Sequence, residues 1–188
     1  VGEVGLDGRL LAPRGVLAAA VAARRAGLAR VVVPVAGAAQ LHRLTGIAVA
    51  ACVDLASVAD VVTGVQVESG SEPAASSRPD PWAGPDLRDV RGHAQARLGL
   101  EVAAAGGHHI ALVGPPGVGK TLLADRLPGV LPDLEDDAAL AVAAIYSVAG
   151  QPRTDGAYRR PPVQSPHHSA SAAALLGAVH GHQVAPGA

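Results

Sequence analysis

The 188 residues include no methionine and no phenylalanine, one cysteine, one tryptophan and two tyrosines. A lone cysteine, Cys52, excludes an intrachain disulfide framework and a Cys-based zinc site. A small buried hydrophobe is its expected role, and a reducing, cytoplasmic setting is the default. With no methionine even at position 1, either a non-Met codon starts the chain or the chain begins inside a longer protein. Aromatics at 2% leave a core to be built from Ala, Val and Leu, which bury less area per residue. Long apolar runs are also missing. Val16–Ala23 and Val31–Ala39 fall well short of the roughly 18 to 20 residues of a membrane span. Gly2, Glu3, Gly5, Asp7 and Gly8 at the start lack the basic-then-apolar order of a secretory signal. No membrane partner and no export are expected. A formal net charge of −1 gives no basic excess of the kind that marks a nucleic-acid binder. Of the 15 basic residues, all but one are arginine, and the exception is Lys120.

What is present is a soluble globular composition, 49% apolar and 16% charged, with room for one or two domains. Residues 1–67 read as an α/β piece in the order strand, helix, strand, helix. An extended entry ends at Pro13 and Gly15, and an Ala-rich helix Val16–Ala26 carries Arg24 and Arg25 in its last turn. A β-branched strand Arg30–Val35 follows, then an apolar run Ile47–Val53. Asp54 can cap a helix Leu55–Val62 whose positions 55, 58, 61 and 62 share a face. Residues 68–86 are rich in Pro, Ser and Gly and read as a linker, with Trp82 as a single anchor on a domain surface. From residue 87 order resumes. Asp89 precedes a helix Ala94–Ala105, with Leu98, Val102 and Ala105 spaced for one face and Gly106-Gly107 closing it. Ile110–Val113 reads as a buried strand. A helix Lys120–Leu127, stopped by Pro128 and Gly129, and another at Asp136–Val148 follow.

Between that strand and the helix from Lys120 stands Gly114-Pro115-Pro116-Gly117-Val118-Gly119-Lys120-Thr121, a match to the P-loop pattern G-x-x-x-x-G-K-[ST] in its required context. Glycines at 114, 117 and 119 let successive N–H groups converge on phosphate oxygens, and the following helix points its positive end at the same anion. Lys120 is expected to reach the β- and γ-phosphates of ATP, and the Thr121 hydroxyl to ligand Mg²⁺, with Leu122 completing the loop's set. The only lysine thus stands where a compact ammonium fits between phosphates and a planar guanidinium does not.

The other polar clusters have plainer readings. Asp133, Glu135, Asp136 and Asp137 complement the dipole of the Asp136–Val148 helix. His108-His109, adjacent in a strand, would point to opposite faces and could not share an ion. For His167-His168 a solvated loop and a functional role both stay open.

The flanks of the P-loop narrow the class. Pro115-Pro116, Asp89-Val90-Arg91-Gly92-His93, the run Glu101 to His108, Tyr146-Ser147-Val148-Ala149-Gly150 and the segment Arg160 to Ser171 together resemble the magnesium-chelatase-like AAA+ ATPases, and within them the ComM/YifB family. The resemblance covers nearly the whole chain except the linker. It implies a P-loop AAA+ ATPase core, here truncated, over 87–188, and before it the C-terminal part of a Lon-protease-like α/β domain over 1–67. Gly2 to Arg9 and the Ala-Ala-Arg-Arg-Ala-Gly helix end carry that second likeness. It also implies a homo-hexameric ring, ATP and Mg²⁺ as ligands, and a helicase-like motor on branched DNA in recombination of transforming DNA. Asp89 to His93 would lie over the adenine, and His167 and His168 would form a partner- or pore-facing loop. The family usually has Gln where His93 stands and Asn where His109 stands. An aromatic and a basic residue are common at the positions of Pro162 and Gln164. Leu17 falls at the position of the Lon catalytic lysine, so no peptidase dyad is expected. ATP hydrolysis also needs an apolar strand ending in Asp-Asp or Asp-Glu for Mg²⁺ and water, and the sequence after Lys120 contains none. The chain therefore reads as an internal piece of a longer ATPase, with ATP binding weak at best and negligible turnover expected of these residues alone. Two rivals remain: a chelatase-type motor that remodels a protein partner, and a non-hydrolysing nucleotide-binding fragment or decayed gene product.

Overall fold

Short apolar runs separated by glycine and proline make short elements, and the backbone bears this out. The computed structural model describes residues 1–64, 84–152, 159–180 and 183–185; Trp82 and most of the 68–86 linker lie outside them. The chain divides into two units, one formed by Val1–Asp80 with Glu135–Arg159 and the other by Pro81–Leu134 with Arg160–Ala188.

The first unit starts with a small antiparallel ladder, β1 (Glu3–Val4) on β2 (Leu10–Leu11). Helix α1 (Val16–Arg25) follows Gly15, and Arg24 and Arg25 lie in its last turn as expected. Strand β3 (Arg30–Pro34) leads through a short helix α2 (Val35–Ala38) and a 3-10 turn, Ala39–Leu41, to β4 (Ala48–Cys52). β3 and β4 pair in parallel, from Arg30 opposite Ala48 to Pro34 opposite Cys52. Helix α3 (Leu55–Thr63) is capped by Asp54, which accepts from the Ser57 amide at 2.8 Å, while the Ser57 hydroxyl meets the Asp54 amide at 3.2 Å. Cys52 is buried with Ala50 and Val61, as its small apolar character suggests. The expected α3 face is only half used. Val58 and Val61 pack inward, whereas Leu55 and Val62 are exposed.

Helix α7 (Asp136–Val148), far along the chain, has the predicted bounds and packs on α1 within this unit. Its buried residues Ala139, Leu140, Ala143 and Ser147 fall in one stripe at the i, i+4 spacing. The matching stripe on α1 is Val16, Leu17, Ala20 and Val21. Alanine at the contact lets two helices without aromatics approach closely enough to exclude water.

The second unit is built on a 3-10 turn, Leu87–Asp89, helix α4 (Ala94–Gly106), helix α5 (Lys120–Ala124) and helix α6 (Leu127–Val130). Leu87, Val90, Leu100 and Leu123 form its core, with Ala96, Leu112, Leu127 and Val130 packed against it. Helix α8 (Ala172–Leu176) and a hairpin of β5 (Ala178–His180) and β6 (Gln183–Ala185) complete the described part.

Three expectations are corrected here. The inward face of α4 is Leu100, Ala103 and Ala104, and Leu98 and Val102 point to solvent. Alanine lines so much of this helix that its periodicity does not single out a stripe, and Leu87, Val90 and Leu123 select the one that is buried. Ile110–Val113 does not form a strand. A strand needs a ladder partner for its N–H and C=O groups, no described strand lies beside this segment, and Val113 is 95% exposed. The helix from Lys120 ends at Ala124 rather than Leu127. Pro128 lies in the first turn of α6, where its missing N–H costs nothing.

Candidate nucleotide-binding site

The glycine-rich loop is shaped by its own backbone. Gly117 and Gly119 have φ of +82° and +88°, which a side chain would strain, and Gly119 turns the chain into α5. At Gly114 the limit is contact: a Cβ there would stand 3.2 Å from the Val118 side chain. Lys120 folds back over the loop, and its Nζ donates to the carbonyls of Gly114 and Pro115, both at 2.8 Å. The ammonium is thus held at the mouth of the loop by two neutral acceptors, with no carboxylate partner among the described residues. Charge-assisted bonds to phosphate oxygens are stronger than bonds to carbonyls, so an incoming polyphosphate can take this group over. Thr121 is exposed beside it, and Leu122 is 43% exposed. Gly114, Pro115, Pro116, Gly117, Val118, Gly119, Lys120, Thr121 and Leu122 form one stretch on the surface in which every residue except the two prolines has a backbone N–H to offer.

Beside Lys120 runs a cleft of about 380 Å³, walled by His93, Gln95 and Ala96 of the α4 entry, by Ile110 to Val113 and by Val118 and Leu123. His93 takes left-handed backbone angles, φ 50° and ψ 37°, unusual for a non-glycine residue. Its Nε2 lies 3.8 Å from where a Gly119 Cβ would stand. The segment Asp89 to His93, expected near the base, therefore reaches the loop through its last residue.

The other sequence candidates have partners of their own. The His167 and His168 rings lie against each other with centroids 4.0 Å apart and planes tilted by 42°, and His167 Nδ1 is bonded to the Ser169 hydroxyl at 2.7 Å. Both rings are exposed. The acidic group takes up structural pairings, Asp136 with Arg159 and Asp133 with Arg160, while Asp136 and Asp137 occupy the first turn of α7. His108 and His109 lie in irregular backbone rather than a strand. The His108 amide donates to Ala103 O at 2.9 Å and closes α4, and its ring fills the space that a Gly106 Cβ would need.

Sequence reasoning missed Arg126 and the turn that it meets. Asp86 caps the 3-10 turn, accepting from the Arg88 amide at 2.8 Å, and Asp89 Oδ2 accepts the Asp86 amide in return at 3.2 Å. The bond from the Arg88 amide, helped by the Arg88 guanidinium, holds the Asp86 carboxyl below the usual aspartate range. The D-x-x-D spacing of residues 86 and 89, and a basic residue just past a helix end, were the available signals.

The fold is mixed α/β, and its most distinctive motif is a P-loop that opens a helix. A family model described as magnesium chelatase, subunit ChlI, matches residues 86–188, more than half of the chain. The chain is also similar to an uncharacterized protein of Mycobacterium tuberculosis, 46% identical over 189 residues that cover all of this chain and 37% of the relative. To YifB of Salmonella typhimurium it is 39% identical over 177 residues, 94% of this chain and 34% of the relative. To the competence protein ComM of Haemophilus influenzae it is 42% identical over 92 residues, 49% of this chain and 18% of the relative. The chain belongs to the magnesium-chelatase-like family that includes YifB and ComM. It spans little more than a third of the length of the relatives that it matches from end to end. No helix among the described residues is long and apolar enough to cross a membrane.

Proposed function

We propose that this chain is the Mg–ATP-binding portion of a ComM/YifB-type AAA+ motor, a P-loop core over 87–188 that follows the C-terminal part of a Lon-protease-like domain over 1–67. The observation that carries the reading is Lys120 Nζ poised on the Gly114 and Pro115 carbonyls above an open glycine loop. Bound Mg–ATP would supply a phosphoanhydride to be hydrolysed. The backbone amides of Gly117 to Lys120 and the Lys120 ammonium would hold the phosphates, and the Thr121 hydroxyl would hold the metal. Among the described residues Lys120 has no ion-pair partner, so polyphosphate binding has no such pair to break.

In the whole protein the resemblance supports a cytoplasmic homo-hexamer that acts on branched DNA in recombination, with His167 and His168 as a partner- or pore-facing loop. The ChlI description of the matching family favours a second reading, an ATPase that remodels a protein partner. Calorimetric titration with Mg–ATP tests the first step: binding that Lys120→Ala abolishes is expected, and equal binding by both chains overturns it. DNA-stimulated ATP hydrolysis by the full-length protein tests the second step. No stimulation by any branched DNA removes the helicase reading and leaves protein remodelling.

A further inference from the structure

Arg126 ties together two stretches of the second unit that lie 40 residues apart. It stands just past α5, where the chain tightens and the Arg126 amide donates to Leu123 O. An uninterrupted α-helix would bond that amide to the Leu122 carbonyl. The Arg126 side chain takes the vacated acceptor itself, Nη1 to Leu122 O at 2.9 Å, and so caps the helix that begins at Lys120. Its Nε donates to Asp86 O at 3.1 Å, and its Nη2 lies 4.0 Å from Asp89 Oδ2. The side chain is only 15% exposed. One guanidinium therefore serves the end of the P-loop helix and the 3-10 turn at once. Val90, buried against Leu100 and Leu123, continues from that turn to His93 at the cleft beside Lys120.

We propose that Arg126 is a positioning residue that fixes the 86–93 segment against the P-loop helix, so that affinity for the nucleoside end of ATP depends on it while affinity for phosphate does not. The proposal rests on the nucleotide-binding reading above. The phosphate-facing groups lie at residues 114 to 121, before the helix end that Arg126 caps. The 86–93 wall has no tie of comparable reach among the described hydrogen bonds. A lysine could not take the place of Arg126, because a single ammonium lacks the planar fork that serves acceptors in different directions.

The test compares Mg–ATP with inorganic tripolyphosphate by calorimetry on the full chain, unsubstituted and as Arg126→Gln and Arg126→Lys. Amide hydrogen exchange at Asp89 and Val90 is followed in parallel. Arg126→Gln is expected to weaken ATP about tenfold, as for loss of a charged hydrogen bond. It is expected to leave tripolyphosphate affinity unchanged and to speed exchange at Asp89 and Val90, with Arg126→Lys restoring only a minor part. Equal weakening of both ligands, full rescue by lysine, or unchanged ATP affinity each overturns the proposal. If Arg126→Gln does not fold, Arg126→Lys, which keeps the charge, carries the same comparison. An unsubstituted chain that binds neither ligand defeats the nucleotide reading and this proposal with it, and the exchange rates then report separately whether Arg126 holds the turn.

Discussion

Ser147 on α7 donates its hydroxyl to Gln40 Oε1 at 2.6 Å, a bond between residues 107 positions apart. Ser147 Oγ in turn accepts the Leu17 amide in the first turn of α1, at 3.4 Å. Ser147 is the one buried polar side chain among the described residues, and its contacts explain how a hydroxyl is tolerated in an alanine-lined contact. Ser147→Ala is expected to cost about 1–2 kcal/mol by leaving a buried amide with a poorer partner. Chemical denaturation measures it. A double-mutant cycle with Gln40→Ala should return a coupling energy that differs from zero.

Gly15 sits where α7 presses on the start of α1. Its φ is +81°, and a Cβ would stand 3.2 Å from Val148 Cγ2. Gly15→Ala is expected to destabilise the first unit by about 1–3 kcal/mol through backbone strain and overpacking together. Adding Val148→Ala should recover the packing share and leave the strain. Thermal denaturation showing no recovery would mean that the contact is slack.

Replacement of Lys120 by arginine separates charge from shape. Lys120→Arg is expected to abolish Mg–ATP binding although the positive charge is kept. Stability without ligand should stay unchanged, because the bonds of Nζ run to carbonyls of exposed residues. For the unsubstituted chain, ATP at about 100 times its Kd should add about 2.7 kcal/mol of stability, and the arginine variant should gain nothing.

The Asp54 cap has a pH signature. The Ser57 amide, followed by the Ser57 hydroxyl, holds the Asp54 carboxyl below the ordinary aspartate value of 3.8. A lowered folded-state pKa means that the unfolded chain takes up the proton first, so the stabilisation is complete above pH 3.8 and is lost as pH falls through the folded value. Asp54→Asn should flatten the acid limb of a stability-against-pH curve, followed by circular dichroism of the first unit.

The parts of this architecture that are legible in the sequence are those governed by neighbours along the chain. Asp54 ahead of Leu55, Arg24 and Arg25 at the end of α1, and Asp136 and Asp137 at the start of α7 mark helix ends by local chemistry, and the helices lie there. The P-loop belongs to the same class, since its glycine angles and lysine reach are set within eight residues. The inward face of α4 was not legible, because Leu87, Val90 and Leu123 decide it from outside the helix. Nor was the fate of Ile110–Val113, since strand pairing depends on a partner that no local pattern specifies. Arg126 escaped notice for a related reason: its main partner, Asp86, is 40 residues upstream.

Because α7 closes the first unit from downstream of the P-loop, the backbone passes from one unit to the other near residues 80, 134 and 159. Neither unit is a single stretch of chain. A protease site engineered between residues 64 and 84 would cut the polypeptide in two and yet leave the α1 to α7 contact intact, so the two pieces should co-elute until denaturant parts them. Expression trimmed at that point would strip the upstream piece of its α7 cover and expose Val16, Leu17, Ala20 and Val21, and aggregation of that truncated piece is the practical consequence.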